Sequence, residues 1–177
     1  MTQHINDDTQ ARKPGEHLLQ ELKWVHNALR QDLVLCQELA RQVTAGVAPD
    51  SVREQVKSLQ TNSPLWKLRV NCLYCCRFVH AHHHSEDVAL FPALRRTNPA
   101  LGPVVDKLVA DHRKISGLLD QIEVSAKALG EQDGTDPRAR LVQALNDLSS
   151  DLLEHLAFEE EAIGPTLLEW DGWPFYA

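Results

Sequence analysis

The chain has 177 residues, of which 43% are hydrophobic, and this size fits one globular domain with a sizeable core. The formal net charge of −7 excludes a general attraction to nucleic acid or to anionic membranes, and no apolar run approaches the roughly 20 residues of a membrane span. Residues 1–15 are polar and lack the apolar stretch of a secretory signal, so we expect a short disordered lead and a cytoplasmic protein.

Helical periodicity runs through most of the sequence, and strand signals are almost absent. The first predicted helix extends from about Glu16 to Val43 and stops at the TAGVAP stretch, and a short extra helix follows at about Ser51–Leu59. Ser63-Pro64 supplies a cap and a first position for a second long helix. Because proline interrupts helices, this second helix is predicted to end near Phe91-Pro92.

The second half of the chain contains two more predicted helices. One begins near Gly102-Pro103, and the loop GEQDGTDP separates it from another that begins at Asp136-Pro137. Four long amphipathic helices with compact connections favour an all-α, up-down-up-down four-helix bundle over residues 16–168. The aromatic tail at 169–177 is expected to cap the bundle, with a dimer contact as the alternative.

Each long helix carries an apolar seam of residues spaced three or four apart, and each seam contains a histidine. In chain order, the seams are Leu22, His26, Leu29, Leu33 and Cys36; Leu68, Cys72, Cys75, Val79, His82 and Glu86; Val105, Leu108, His112, Ile115, Leu119 and Ile122; and Leu141, Leu145, Leu148, Leu152, His155 and Glu159.

Two of the seams place a glutamate one turn after the histidine, in His82-x-x-x-Glu86 and His155-x-x-x-Glu159. These pairs lie near the ends of their helices, and the other two seam histidines lie about ten residues into theirs, so an up-down-up-down bundle brings all six groups to one depth. A buried carboxylate without a partner is costly, whereas a metal ion binds both carboxylate and neutral imidazole. The sequence therefore predicts a metal centre with six ligands: His26, His82, Glu86, His112, His155 and Glu159.

Six ligands are too many for one zinc ion and suit two ions if the glutamates bridge them. Each ion would then have two imidazole nitrogens and two carboxylate oxygens, and an oxo or hydroxo bridge would leave one open position. Mixed nitrogen and oxygen ligands with open positions favour iron or manganese. The ferritin-like di-iron class is less suitable, because it uses Glu-x-x-His pairs and no histidine here follows a glutamate at that spacing.

Several other polar residues have plainer interpretations. His83 and His84 are expected to face solvent or an interhelical position, with a role for His83 in supporting a ligand as the alternative. Glu160 could replace Glu159 as the ligand, but the seam favours Glu159. The four cysteines, Cys36, Cys72, Cys75 and Cys76, are interpreted as buried thiols that pack like small hydrophobic residues, although Cys72-x-x-Cys75 superficially resembles a redox or zinc motif.

Four sequence segments together resemble the hemerythrin-like family of HHE cation-binding domains. They are WVHNALRQDL with His26, HHHSEDVALFPAL with His82 and Glu86, DHRKISGLLDQIE with His112, and HLAFEEEAIGPTL with His155 and Glu159. The resemblance covers about residues 16–168, and the segments RTNPALGPVVDKL and NSPLWKLRVNCLYCCRF look like the bacterial, especially actinobacterial, branch. It implies a non-haem centre of two iron ions, held by four histidines and two bridging carboxylates.

The chain departs from the family's oxygen carriers at two positions. Those carriers have a second histidine four residues after the third-helix histidine, where this chain has Ser116, and an aspartate five residues after the fourth-helix histidine, where it has Glu160. The resemblance therefore favours a protein that binds or reacts with H₂O₂, NO or O₂ in redox or nitrosative stress, as a possible oxidoreductase. The alternatives are a sensor of O₂, NO or iron without turnover, oxygenation of an organic substrate, and a histidine-rich bundle without metal.

Overall fold

Four long helices and one short helix make up the described part of the chain. The computed structural model describes residues 13–46, 64–128 and 136–174, and within these ranges it contains no strand. The predicted short helix at 51–59 lies outside the described residues. The helices are α1 (Glu16–Gly46), α2 (Pro64–Ser85), α3 (Phe91–Thr97), α4 (Gly102–Ala128) and α5 (Asp136–Leu167).

The long helices form the predicted all-α bundle. Helix α1 packs against α2 and α5, and α4 packs against the same two helices, so α1 and α4 are diagonal to each other. The beginnings of α1 and α4 share one end of the bundle with the end of α5 and with α3, as an up-down-up-down chain requires.

A wide helical turn at Glu86–Leu90, here called the π turn, joins α2 to α3, so the predicted end near Phe91-Pro92 is wrong. The backbone N–H of Phe91 donates to the carbonyl of Glu86, five residues earlier. This extra residue relieves the clash between a proline ring and the carbonyl four residues before it, and Pro92 occupies the first turn of α3, where proline is best tolerated. The helical path ends at Thr97, because Asn98 precedes a proline and leaves the helical conformation.

The predicted seams are buried at every position whose side chain the structure describes; the side chain of Leu68 lies outside that part. They form two apolar clusters. The distal core includes Leu33, Cys75, Leu119 and Leu148, and the proximal core includes Leu22, Phe91, Leu108 and Ile163. The buried histidines and glutamates belong to neither cluster and lie in the layer between them.

The two ends of the described chain meet beside the proximal core. The N–H of Gly15 donates to the carbonyl of Leu168 at 3.2 Å, and a Cβ at Gly15 would lie 1.8 Å from the carbonyl oxygen of Leu167, so only glycine fits there. Trp170 is buried in the proximal core and packs edge-on against Trp173, with ring centres 6.4 Å apart. These two residues cover the end of the bundle, the rest of the predicted cap at 175–177 lies outside the described residues, and the dimer contact stays a prediction.

None of the helices in the described ranges is long and apolar enough to cross a membrane.

Candidate metal centre

Seven ionisable side chains are buried in the layer between the two cores, and their exposed fractions are between 0 and 9%. Six of them are the predicted ligands, which the fold brings together from four helices and the π turn. The seventh is His83. The set is His26, His82, His83, Glu86, His112, His155 and Glu159.

These side chains divide into two groups, each compact enough to surround one cation. In each group the potential ligand atoms all lie within 4.8 Å of one another. Glu86 belongs to both groups, so its carboxylate lies between the two potential cation positions. Site 1 consists of His26, His82, Glu86 and Glu159, and site 2 consists of His83, Glu86, His112 and His155.

The two oxygens of Glu86 face different sites. Its Oε1 is 3.1 Å from Nε2 of His82, and its Oε2 is 3.5 Å from Nε2 of His112. Glu159 also lies between the sites, since its Oε2 is 3.5 Å from Nε2 of His26 and 3.7 Å from Nε2 of His155. Each carboxylate therefore lies within 4 Å of imidazole nitrogens from both groups.

His83 is buried at an interhelical position, which is one of the two positions predicted for it, and it does not face solvent. Its ring stacks on that of His112, with centres 3.9 Å apart and planes at 9°. His84 is exposed, as expected. A helix with two neighbouring helices buries a face wider than one row of side chains, and α2 turns His82 toward α1 and His83 toward α4.

The helical row that contains His83 could have indicated that this side chain is buried. Cys76 lies seven residues earlier on the same helical row, and it is apolar and 1% exposed. With His83, the two groups together contain five imidazoles.

Carboxylates outside the layer orient two of the histidines. Nδ1 of His26 donates to Glu160 at 2.9 Å, and Arg30 donates to the same carboxylate oxygen at 2.8 Å. Nδ1 of His112 donates to Asp87 at 2.9 Å. Because these Nδ1 atoms carry the proton, the Nε2 atoms present lone pairs to the interior, as a metal-binding imidazole does. Glu160 is therefore a positioning residue in this arrangement. Asp87, which orients His112 in the same way, was not predicted from the sequence.

Burial keeps the imidazoles neutral. It lowers the pKa of His26, His82 and His155 to about 3 each. It also lowers the pKa of His83 and His112, and for His112 this effect exceeds the opposing one of Asp87.

Burial has the opposite effect on the carboxyl groups. It raises the pKa of Glu159 to about 8. Burial and the nearby charge of Glu159 raise the pKa of Glu86 well above its ordinary value. Burial therefore favours the protonated form of both carboxyl groups in the metal-free protein, and a bound cation would displace such protons.

Many buried polar atoms of this layer have no partner among one another, although Nε2 of His112 lies 3.2 Å from Nε2 of His155, within hydrogen-bond distance. Nε2 of His26, His82 and His83 and all four oxygens of Glu86 and Glu159 have no hydrogen-bond partner within the described ranges. Leaving such groups unpaired in a dry interior is costly. Two cations would satisfy these atoms, because lone pairs and carboxylate oxygens point at both potential positions.

Comparison with known proteins identifies the family of this chain. A family model described as the hemerythrin HHE cation-binding domain matches residues 17–167. The chain belongs to this family. No curated protein and no solved structure matches it in the same comparisons. The resemblance drawn from the four sequence segments is confirmed, and the protein is a helical metal-binding domain whose histidine and glutamate groups fit a metal site.

Two cavities of different character reach the two sites of this hemerythrin-like domain. A cleft of about 410 Å³ lies between α1 and the π turn, and His82 and Glu86 of site 1 line it together with apolar side chains. A slot of about 60 Å³ lies between α4 and α5 beside His155 of site 2, and its walls include Lys107, Asp111 and Asp151. Small molecules could therefore approach site 1 through an apolar cleft and site 2 through a charged slot.

The four cysteines lie outside the layer of buried histidines and glutamates. All four are free and buried in the distal core, as predicted for small hydrophobic packing residues. Burial raises the pKa of Cys76 to about 12, so its thiol stays protonated at neutral pH and is a poor nucleophile.

Proposed function

We propose that the domain holds two iron ions, joined by an oxo or hydroxo bridge, and that it binds or reacts with a small ligand such as H₂O₂, NO or O₂. The proposed ligands are the six predicted residues and His83. The observation that carries the proposal is the pair of cation-sized groups that share Glu86. A carboxylate shared between two such groups, with a different oxygen near each, is suited to two neighbouring ions.

The donor types support iron. Site 1 offers two imidazoles and two carboxylates, and site 2 offers three imidazoles and the shared carboxylate. Such mixed nitrogen and oxygen sites suit iron, and the absence of thiolate donors from both groups of described residues makes a thiophilic metal less suitable. Two adjacent redox-active ions, when bound, can exchange two electrons with one small ligand.

The protein's own part is to hold the donors and to limit access. Glu160 and Asp87 fix the ring orientation of His26 and His112 through hydrogen bonds. The two apolar cores exclude water above and below the layer. Site 1 has fewer imidazoles and opens to the cleft, so it is the proposed position for the exogenous ligand.

The metal content tests the proposal first. Purified, iron-reconstituted protein should contain about two irons per chain and show near-ultraviolet oxo-to-iron absorption. His82→Ala should lose iron from site 1, whereas His84→Ala, at an exposed neighbour, should keep the wild-type content. Fewer than one iron per chain after reconstitution of the wild type would contradict the proposal.

The same sample separates turnover from binding. We propose that the physiological role is in oxidative or nitrosative stress, so iron-loaded protein should consume H₂O₂ or NO faster than an equal amount of free iron, and His82→Ala should abolish the difference. A protein that instead gives tight azide or NO spectra without turnover would be a binding or sensing protein.

A further inference from the structure

The cleft beside site 1 is larger than a small inorganic ligand needs. Its volume is about 410 Å³, whereas one water molecule takes about 30 Å³ in the liquid. Cavities that bind organic molecules typically occupy about 300–1,000 Å³. The slot beside site 2, at about 60 Å³, is of the size that a few waters or a diatomic molecule would fill. The two access routes therefore differ in the size of molecule that they admit.

The walls of the cleft suit an apolar body. Leu22 and Val25 come from α1, Ala89 and Leu90 from the π turn, and Trp173 from the tail. Val88, which is 60% exposed, also lines the cleft and places it next to solvent. An aromatic ring and aliphatic side chains around a few polar groups are the usual composition of a small-molecule site.

The charges around the cleft narrow the class of ligand. Its lining residues, all of which the structure describes, include no lysine or arginine. Glu21 places a carboxylate in the wall, where it accepts a hydrogen bond from the indole N–H of Trp173 at 2.8 Å. In the metal-free protein an anionic ligand would meet this carboxylate without a compensating cation among the lining side chains, so an uncharged molecule is favoured.

The polar side chains of His82 and Glu86 lie at the cleft's contact with site 1. We propose that the cleft is a binding site for a compact, uncharged organic molecule, such as a phenol or an alcohol, whose hydroxyl group is directed at site 1. Contact of that hydroxyl with iron rests on the proposed function, whereas binding of the apolar body does not.

The test uses p-cresol as the probe and the full chain in its metal-free form. Titration should give a saturable shift of the Trp173 indole resonance in nuclear magnetic resonance spectra. Val88→Trp, at the exposed margin of the cleft, should weaken binding by about tenfold or more. The matched control is Val124→Trp on α4, an equally exposed valine outside the cleft, and it should bind like the wild type.

A second filling variant with its control, and an anionic ligand of similar size, test the cleft further. Ala89→Phe fills the cleft from within and should also weaken binding, while Ala139→Phe on the exposed surface of α5 should not; circular dichroism checks that both fold. Benzoate, of similar size but anionic, should bind more weakly than p-cresol. Absence of saturable p-cresol binding, equal binding of benzoate, or insensitivity to both filling variants would overturn the proposal.

Iron-loaded protein tests the hydroxyl contact. On contact with iron, bound p-cresol would release its hydroxyl proton to solvent, and it should then produce a visible phenolate-to-iron charge-transfer band that Val88→Trp removes. If metal analysis finds two irons but no band accompanies p-cresol binding, the directed hydroxyl is wrong and the di-iron proposal stands. If p-cresol binds the metal-free protein but reconstitution yields no iron, the cleft stands and the di-iron proposal fails.

Discussion

His83 gives site 2 its third imidazole, and its position makes that contribution testable. It stacks on His112 and lies within 4.8 Å of the other potential ligand atoms of its group. His83→Ala should lower the iron content from about two to about one per chain, because site 1 keeps all its donors. His84→Ala, one residue along the same helix, is the control and should retain both ions. Equal iron content in the two variants would show that His83 only packs.

Some residues of the candidate metal centre could be predicted from the sequence, and others could not. His26, His112, His155 and their partners could be predicted to lie together because the 3.6-residue period and the helix directions fix both face and depth. His83 was missed because it lies about 100° around the helix from His82, off the seam, and its row is marked as buried only by Cys76, seven residues earlier. Asp87 was missed because it is exposed and acts through a hydrogen bond across helices.

Glu160 should matter for metal affinity although it lies in neither group. It fixes the ring of His26 from the outside, and loss of such a hydrogen bond typically lowers metal affinity by about 10- to 100-fold. Glu160→Ala should show this loss in competition with a chelator, while Glu161→Ala, at the exposed next position, should not. If Glu160→Ala binds iron as tightly as the wild type, orientation of His26 does not depend on this carboxylate.

At the scale of elements, the π turn allows one continuous helical path to serve both the metal layer and the proximal core. Glu86 at its start enters both sites, and Phe91 just after it is 2% exposed and lies 5.1 Å from the ring of His112. The turn therefore links a ligand to the packing that supports its neighbour.

Phe91→Ala should consequently destabilise the metal-free protein by about 3–5 kcal/mol, because it leaves a cavity beneath His112. Val88→Ala, at an exposed position of the same turn, should change the free energy of unfolding by less than about 0.5 kcal/mol. Urea denaturation measures both. Similar small losses in the two variants would mean that α3 contributes little to the proximal core.

For the whole molecule, the layer of buried ionisable groups determines how stability depends on pH. The imidazoles have folded-state pKa values below their ordinary 6.5, so the unfolded chain binds more protons and stability falls as pH drops below 6.5. Glu86 and Glu159 have folded-state values above their ordinary 4.5, so their contribution is lost as pH rises, up to about 8 for Glu159. Because five imidazoles act below pH 6.5 and only two carboxyls act in the opposite direction, stability falls overall as the pH drops below 6.5.

The metal-free protein should therefore be most stable near pH 6.5, with slopes on either side of about 1.4 kcal/mol per pH unit for each proton involved. Between pH 6.5 and 8, loading with metal should remove the decline, because the cations replace the carboxyl protons. Urea denaturation across pH 5–8 measures these curves, and Glu159→Gln is the control that cannot titrate. A metal-free protein that gains stability steadily up to pH 8 would contradict this assignment.

The π turn also divides the second helical path into two heptad frames. Before it, the buried positions 72, 75, 76, 79, 82, 83 and 86 follow one frame; after it, the buried positions are 90, 91, 93 and 94, of which 90, 91 and 94 follow the same frame displaced by one residue. A single helical wheel through both parts would assign Phe91 and Leu94 to the wrong face. Substitutions in α3, and comparisons of this chain with other HHE domains, should therefore be indexed from Leu90 and not from His82.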